Sequence, residues 1–442
     1  MLTGKQLEQF EKIYQSDKYA EQTSSVIQRE GIFAGMENPE KRGRLPFEFS
    51  IEVSSNGITD QGHSGRCWIF AALNCMRREV MVKYGLREFY FSQNYLAFYD
   101  LLEKANYFME NILETIELDT DERIVWELLK KPVQDAGQWD MFVNLVKKYG
   151  LVPLEVMPET GISMNTRELD DFLWELLRYD AYILRERYRR GEDMQMLRKR
   201  ISEMLYSVYR ILRMALGNPP KILGTFCPEG KKLIPVQMTP QEFAEKHLGL
   251  TGELEEYVAV IHAPVRNRPM HKSYTVQYLG NVYGGSKVRY LNLPMQNLKR
   301  KIIAQLYGGE MVWIGADTRL FVDKENGVLD LELYSFKKLS EHEMMFSKGK
   351  NLEYGNSCLT HSLAIKGVNL DEQGNPDRWY VENSYGKYAG HDGYVMITGE
   401  WFDHYVYEAV IHKKYLNDEE RKEYEAEPEI LPLWDPIGAL AQ

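Results

Sequence analysis

Apolar residues recur at helical spacing through much of the first half of the chain and give way to short alternating runs in the second. Leu7, Phe10, Ile13 and Tyr14 fall on one side of an amphipathic helix within residues 2–30. Phe47 to Val53 alternates like a short strand. Ala71, Ala72, Leu73, Met76, Val80 and Met81 predict a helix that starts at Cys67 and stops before Gly85. Ser92 is placed to cap a helix over about Gln93 to Lys104, and residues 105–131 continue helical and acidic. Leu169, Phe172, Leu173, Leu176 and Leu177, then Leu197, Ile201, Leu205, Val208 and Leu212, recur every three or four positions. With Gly191 between them, they predict a helical hairpin over 166–216. Thr239 to Glu242 opens a short helix with Pro240 at its first position. Residues 257–293 mix short strands and loops, Met295 to Leu306 is helical, and Met311 to Gly315 reads as a buried strand. Strand-like runs follow at 361–368, 378–383, 393–397 and 408–412. Helices gathered early and strands gathered late give an α+β chain.

A chain of 442 residues holds two or three domains, or one domain with a large insertion. Its formal net charge of −11 argues against nucleic acid or an anionic membrane as the main partner. Arg185, Arg187, Arg189, Arg190, Arg198, Lys199 and Arg200 make the hairpin locally basic. Glu186, Glu192 and Asp193 interleave with them, as expected of a solvated or inter-subunit face. Cys67, Cys75, Cys227 and Cys358 have no ordered spacing, so neither a disulfide framework nor a zinc signature is expected. Met1 to Phe10 lacks the apolar core of a secretory leader, and no run of eighteen apolar residues occurs. The expected compartment is a reducing cytoplasm, with no metal and no cofactor.

The candidate chemistry centres on Gln61-Gly62-His63-Ser64-Gly65-Arg66-Cys67-Trp68. A loop broken by Gly62, Ser64 and Gly65 stops at a cysteine that begins a helix. Unpaired N–H groups and the positive end of the helix dipole push a thiol at that position toward thiolate. Gln61, six residues upstream, is placed to donate to a developing oxyanion. A thiolate also needs a proton acceptor and a group that orients it. His361 heads a strand-like run, Asn383 ends another in Glu382-Asn383-Ser384-Tyr385-Gly386, and His63 is the rival base.

The order Gln61, Ser-Gly-Arg-Cys67-Trp, His361, Asn383-Ser-Tyr-Gly resembles the papain-like cysteine peptidases, in particular the bleomycin hydrolase and bacterial aminopeptidase C branch. Ser64 stands where secreted members carry a disulfide cysteine, Arg66 replaces their Ser or Ala, and Tyr385 stands for a usual Trp. The resemblance implies that Cys67 is the nucleophile, His361 the base, Asn383 its orienter and Gln61 an oxyanion donor. It also implies a substrate-pairing turn at 136–137, from which Gly137 carries over as a substrate contact; Ala136 would be strained if the family's positive φ held there. His361 follows Cys67 by about 150 residues more than the roughly 130–150 usual in papain-like chains. The expected organisation is a helical lobe over 1–155, an inserted helical and mixed region over 156–295, a β-rich lobe over 296–420 and a C-terminal arm over 421–442. The ending Trp434-Asp435-Pro436-Ile437-Gly438-Ala439-Leu440-Ala441-Gln442 resembles the arm that lies in the family's own cleft. Ala441 or Gln442 would there meet the ammonium of a peptide substrate. The resemblance further implies a homo-hexamer that removes N-terminal residues. The rivals are an endopeptidase with its tail elsewhere, and a non-catalytic scaffold or nucleic-acid-binding relative.

Overall fold

Alternation along the strand Val312–Ala316 divides the interior in two. Val312, Ile314 and Ala316 enter one hydrophobic core and Trp313 enters the other, as a strand buried on both faces requires. The first core packs the helical half of the chain, Cys67 and Trp68 included, against the sheet. The second lies on the opposite face, under the helices Met295–Tyr307 and Gly399–Tyr405. The computed structural model describes residues 1–41, 46–226, 234–247, 249–340, 342 and 344–441. Cys227 and Gln442 lie outside the described residues.

Among the described residues one sheet has twelve strands. Its order runs Glu429–Leu431, Lys272–Val276, Tyr290–Asn292, Tyr257–Ile261, Val406–His412, Val312–Ala316, His361–Leu370, Pro376–Glu382, Tyr394–Thr398, Val328–Leu329 and Val322–Asp323. Ile51–Glu52 pairs on the flank of His361–Leu370. The sheet crosses the boundary expected at 295. Tyr257–Ile261 pairs antiparallel with Val406–His412, so strands on both sides of that boundary share one ladder.

The helical hairpin forms as the periodicity predicts, over Arg167–Arg189 and Met194–Leu216, with Gly191 at φ 89° in the turn. Ser92 accepts from the Tyr95 N–H at 3.0 Å, and its helix runs unbroken from Gln93 to Glu114, past the expected end at Lys104. Arg123–Lys130 is a separate helix. Residues 2–30 form two helices, Gly4–Ser16 and Lys18–Glu30, and Leu7, Phe10, Ile13 and Tyr14 are all exposed. The apolar stripe is present there, but none of the described residues covers it.

Candidate active site

The loop before Cys67 is shaped by close backbone approaches. Gly65 donates its N–H to Asp135 Oδ2 at 2.6 Å, and a Cβ at Gly65 would stand 2.3 Å from Asp135 Oδ1. Arg66 is fully buried. It reaches Ser64 Oγ at 3.1 Å, Glu159 Oε2 at 2.9 Å and the Ser163 carbonyl at 2.5 Å. An ion pair and its hydrogen bonds thus fasten the segment in which secreted relatives carry a disulfide cysteine. Cys67 then begins the helix Cys67–Tyr84 and is itself 3% exposed. His63 does not join this site; its neighbourhood is Met164 and Asn165.

His361 and Asn383 come from adjacent strands of the sheet. His361 Nε2 lies 2.9 Å from Asn383 Oδ1, which also accepts the Ser384 N–H at 2.9 Å. A backbone donor on Oδ1 identifies that atom as the amide oxygen, so Nε2 must carry a proton and Nδ1 is left for proton exchange. The Tyr385 ring lies 5.1 Å from the imidazole at an interplanar angle of 4°, covering the face where the family usually has Trp. Cys67 Sγ donates to the Gly65 carbonyl at 3.7 Å, and Ser362, the residue after His361, lies near the thiol. The Ser362 hydroxyl is buried and has no hydrogen-bond partner among the described residues. The helix Cys67–Tyr84 is tied to this sheet by Trp313 Nε1 donating to the Trp68 carbonyl at 3.1 Å. A second tie is Arg77, which pairs with Glu382 at 2.6 Å, one residue before Asn383.

Gln61 is held from both ends of its amide. Ser384 Oγ donates to Gln61 Oε1 at 2.6 Å, and Gln61 Nε2 donates to the Ser64 carbonyl at 2.6 Å. The second Nε2 hydrogen remains for another acceptor. The clamp on Gln61, Ser384, was not among the residues read from sequence; its local signal was its place directly after Asn383. Ser362 and Lys104 were not among them either. The buried Lys104 ammonium donates to Asp100 Oδ2 at 2.5 Å and to the carbonyls of Gln134 at 2.7 Å and Ala136 at 2.5 Å. Trp68 Nε1 takes the intervening Asp135 carbonyl at 2.7 Å. These bonds turn three consecutive carbonyls inward. Ala136 is not among the positive-φ residues, so the strain entertained for it does not arise. Gly137 packs against Trp68, where a Cβ would stand 2.6 Å from the indole.

A cavity of about 540 Å³ opens between these elements. Gln134 and Ala136 form one wall, and Cys358, Leu359 and Thr360, the approach to His361, form another. Leu433, Ala439 and Leu440 of the arm line it as well. Ile437 and Leu440 are 0% and 2% exposed and belong to the same core as Cys67. Ala441 ends the described chain in a short helical turn with Ala439 and Leu440.

Burial dominates the titration of Cys67 and His361. It pushes the Cys67 thiol up to about 11, against hydrogen bonds from Ser362 and Trp68 that favour the thiolate. It also lowers the pKa of His361, against the Asn383 hydrogen bond. The sequence expectation that the helix start drives the thiol toward thiolate is opposed by the burial of Cys67. Loss of water outweighs the first-turn N–H groups. Both shifts favour the neutral thiol and the neutral imidazole. Among the described residues no group of His, Cys, Asp and Glu is placed to hold a metal ion. No helix of the described residues is long and apolar enough to cross a membrane.

Comparison with known proteins covers the same extent. Aminopeptidase C of Listeria monocytogenes is 39% identical over 444 aligned positions, spanning 100% of this chain and 99% of the relative. Bleomycin hydrolase of Gallus gallus is 37% identical, spanning 90% and 89%. The crystal structure of pepw from Lactobacillus rhamnosis superposes with a TM-score of 0.95 at 39% identity, covering 100% of this chain and 99% of that one. With the model of the Peptidase C1-like family matching residues 1–438, the chain belongs to that family.

Proposed function

We propose that this protein is a thiol aminopeptidase that removes N-terminal residues from peptides. One observation carries the reading: Ala439 and Leu440 of the arm share a cleft with Thr360, the neighbour of His361, and with Ala136, whose loop is fastened to the nucleophile helix. A cleft open along its length would cut within chains, whereas one stopped by its own arm admits a chain end.

In the reaction we propose, Cys67 Sγ gives its proton to His361 Nδ1 and attacks the scissile carbonyl carbon. The carbonyl π pair moves onto oxygen, where the Cys67 N–H and the remaining Gln61 Nε2 hydrogen receive it. His361 protonates the leaving amine as the C–N bond breaks, which leaves a thioester. Water then gives a proton to His361 and attacks the thioester. The acid departs and the thiol is restored. Asn383 keeps the imidazole in the tautomer this sequence requires. Gly137 borders the substrate, and the arm's last residues, Ala441 and Gln442 in the family pattern, face its amino end.

The test is hydrolysis of free and N-acetylated aminoacyl amides, with and without iodoacetamide. Free amides should be cut, acetylated ones spared and all turnover lost on alkylation. Cys67→Ser should lower kcat/KM by at least about 10⁴-fold with the fold intact; undiminished turnover rejects the assignment. The docked arm disfavours an endopeptidase with its tail elsewhere. A nucleic-acid-binding scaffold is disfavoured because Arg189, Arg198 and Arg200 of the basic hairpin pair with Glu186, Glu110 and Glu192. We also propose a homo-hexamer in a reducing cytoplasm. The exposed apolar stripe of residues 4–16 and the free thiols Cys67, Cys75 and Cys358 support that reading. Sedimentation velocity tests the assembly.

A further inference from the structure

We infer that the buried Arg268–Asp435 pair is the latch that holds the C-terminal arm in the cleft, and so sets the choice between cutting at chain ends and cutting within chains. The second half of that statement rests on the aminopeptidase reading. The arm first adds to the sheet, with Glu429–Leu431 parallel to Lys272–Val276 and the Gln277 N–H donating to the Leu431 carbonyl at 2.9 Å. Leu433 already lines the cavity, and beyond Asp435 the tip buries Ile437 and Leu440. Asp435 is the bend between these two stretches.

One carboxylate does two jobs at that bend. Asp435 Oδ1 accepts the Ile437 N–H at 3.0 Å, and the Asp435 carbonyl accepts the Gly438 N–H at 3.0 Å, which together close the turn. Asp435 Oδ2 accepts from Arg268 Nη2. Arg268 is 6% exposed and Asp435 7%, so water cannot replace either partner cheaply. Arg268 Nε and Nη1 have no hydrogen-bond partner among the described residues, and Asp435 is its one ion-pair partner there. The post itself is fixed: the Arg268 N–H donates to the Val265 carbonyl at 3.0 Å, and Asn292 Nδ2 donates to the Arg268 carbonyl at 3.2 Å.

The surroundings make the pairing decisive. Tyr290, fully buried, lies within electrostatic reach of the carboxyls of Glu408, Asp140 and Asp435 together, and burial raises the first two. Both Glu408 carboxylate oxygens are buried with no hydrogen-bond partner. A carboxylate at 435 deprived of Arg268 would share a dry region with other acids, and it must either take up a proton there or leave with the arm. The other attachment nearby, the Arg123 guanidinium 3.7 Å over the Trp434 ring, sits at a residue 37% exposed and faces solvent. It does not carry the same penalty when broken.

The experiment compares the full chain, Arg268→Met, Asp435→Asn, the double variant and a chain lacking residues 439–442. Two readouts are taken: release of C-terminal residues by added carboxypeptidase, and cleavage of an N-acetylated, internally quenched peptide. Arg268→Met should speed C-terminal release and acetylated-peptide cleavage by at least about tenfold each, because it leaves a buried charge alone. The double variant should fall closer to wild type than Arg268→Met does, which measures the coupling of the pair. A folded Arg268→Met whose C-terminus is as protected as wild type overturns the latch. Should that variant fail to fold, Asp435→Asn still closes the turn through its amide oxygen; unchanged protection there also overturns the latch. If the truncated chain gains endopeptidase activity while Arg268→Met stays protected, the latch is wrong and the aminopeptidase reading stands. If Arg268→Met releases the arm and the truncated chain gains nothing, the latch stands and the reading falls.

Discussion

The helical hairpin and the cleft are held together by different kinds of contact. In the hairpin, Leu169, Leu173, Leu177, Ala181 and Leu184 on one helix, and Leu197, Ile201, Val208, Leu212 and Leu216 on the other, are buried. Their spacing alone states which face turns inward. In the cleft, the holding contacts are polar and join residues far apart in sequence: Gln61 to Ser384, Arg77 to Glu382, Gly65 to Asp135 and His361 to Asn383. Apolar burial is non-directional and tolerates small shifts, whereas each of these bonds fixes an angle as well as a distance. The hairpin needs to exist; the cleft needs to be aligned.

The strongest way to break that comparison is to damage each region by a similar free energy and ask what activity does. The side chains of Arg77 and Glu382 are 1% and 0% exposed, and Arg77 also holds the Gly57 carbonyl and Asn74. Arg77→Met leaves Glu382 unpaired and should cost about 3–5 kcal/mol. Leu177→Ala should cost about 2–5 kcal/mol through the cavity it leaves. If the two regions differ as described, Arg77→Met lowers kcat in protein that is still folded, because Glu382 adjoins Asn383. Leu177→Ala should lower only the unfolding midpoint. Equal kcat values in the two variants, measured well below both midpoints, would erase the distinction.

How far the sequence could be read follows the same division. The hairpin and the strands around His361 and Asn383 announce themselves through local periodicity, and the cysteine motif through local composition. Ser384 as the clamp on Gln61 is invisible locally, because its role exists only once two segments 323 positions apart meet. Arg66 is a related case: a buried arginine contradicts its ordinary preference for solvent, and Glu159 and Ser163, which satisfy it, lie far along the chain. The stripe of Leu7, Phe10, Ile13 and Tyr14 misleads in the opposite sense, since periodicity reports an apolar face without reporting what covers it. The sign of the Cys67 shift was missed because burial depends on the whole cleft, whereas the helix start is a local feature.

Acidity sharpens the comparison through opposite signs. Burial lowers His262, whose Nδ1 meets the Leu293 carbonyl at 2.9 Å, to about 4, and it lowers His361 as well. As pH falls from about 6.5 toward 4, unfolded histidines take up protons that the folded ones refuse. Stability is then lost, by at most about 3 kcal/mol for His262. In the hairpin, burial raises Asp180 to about 6 and raises Asp170 too. Those carboxyls are protonated in the folded state while still ionised in the unfolded one, so acidification through that window stabilises the hairpin. Hydrogen exchange followed from pH 7 to pH 5 should show protection rising over 167–216 relative to 257–262 and 361–365. Parallel loss in both regions would contradict the assignment.

The smallest expected effect is the finest probe of alignment. Ser384→Ala removes the hydroxyl that donates to Gln61 Oε1 and leaves the Gln61 Nε2 bond to Ser64 in place. The amide then loses one of its two restraints, at a cost of about 1 kcal/mol, or between five- and tenfold in rate. If Gln61 serves the oxyanion, that loss falls on kcat with KM unchanged, because the negative oxygen exists only on the way to the tetrahedral intermediate. Alkylation of Cys67 by iodoacetamide passes through no oxyanion and should proceed at the wild-type rate. A Ser384→Ala enzyme that loses alkylation rate and turnover in equal measure would mean that Ser384 acts on the thiol or on His361 through Asn383, and that Gln61 is not what it aligns.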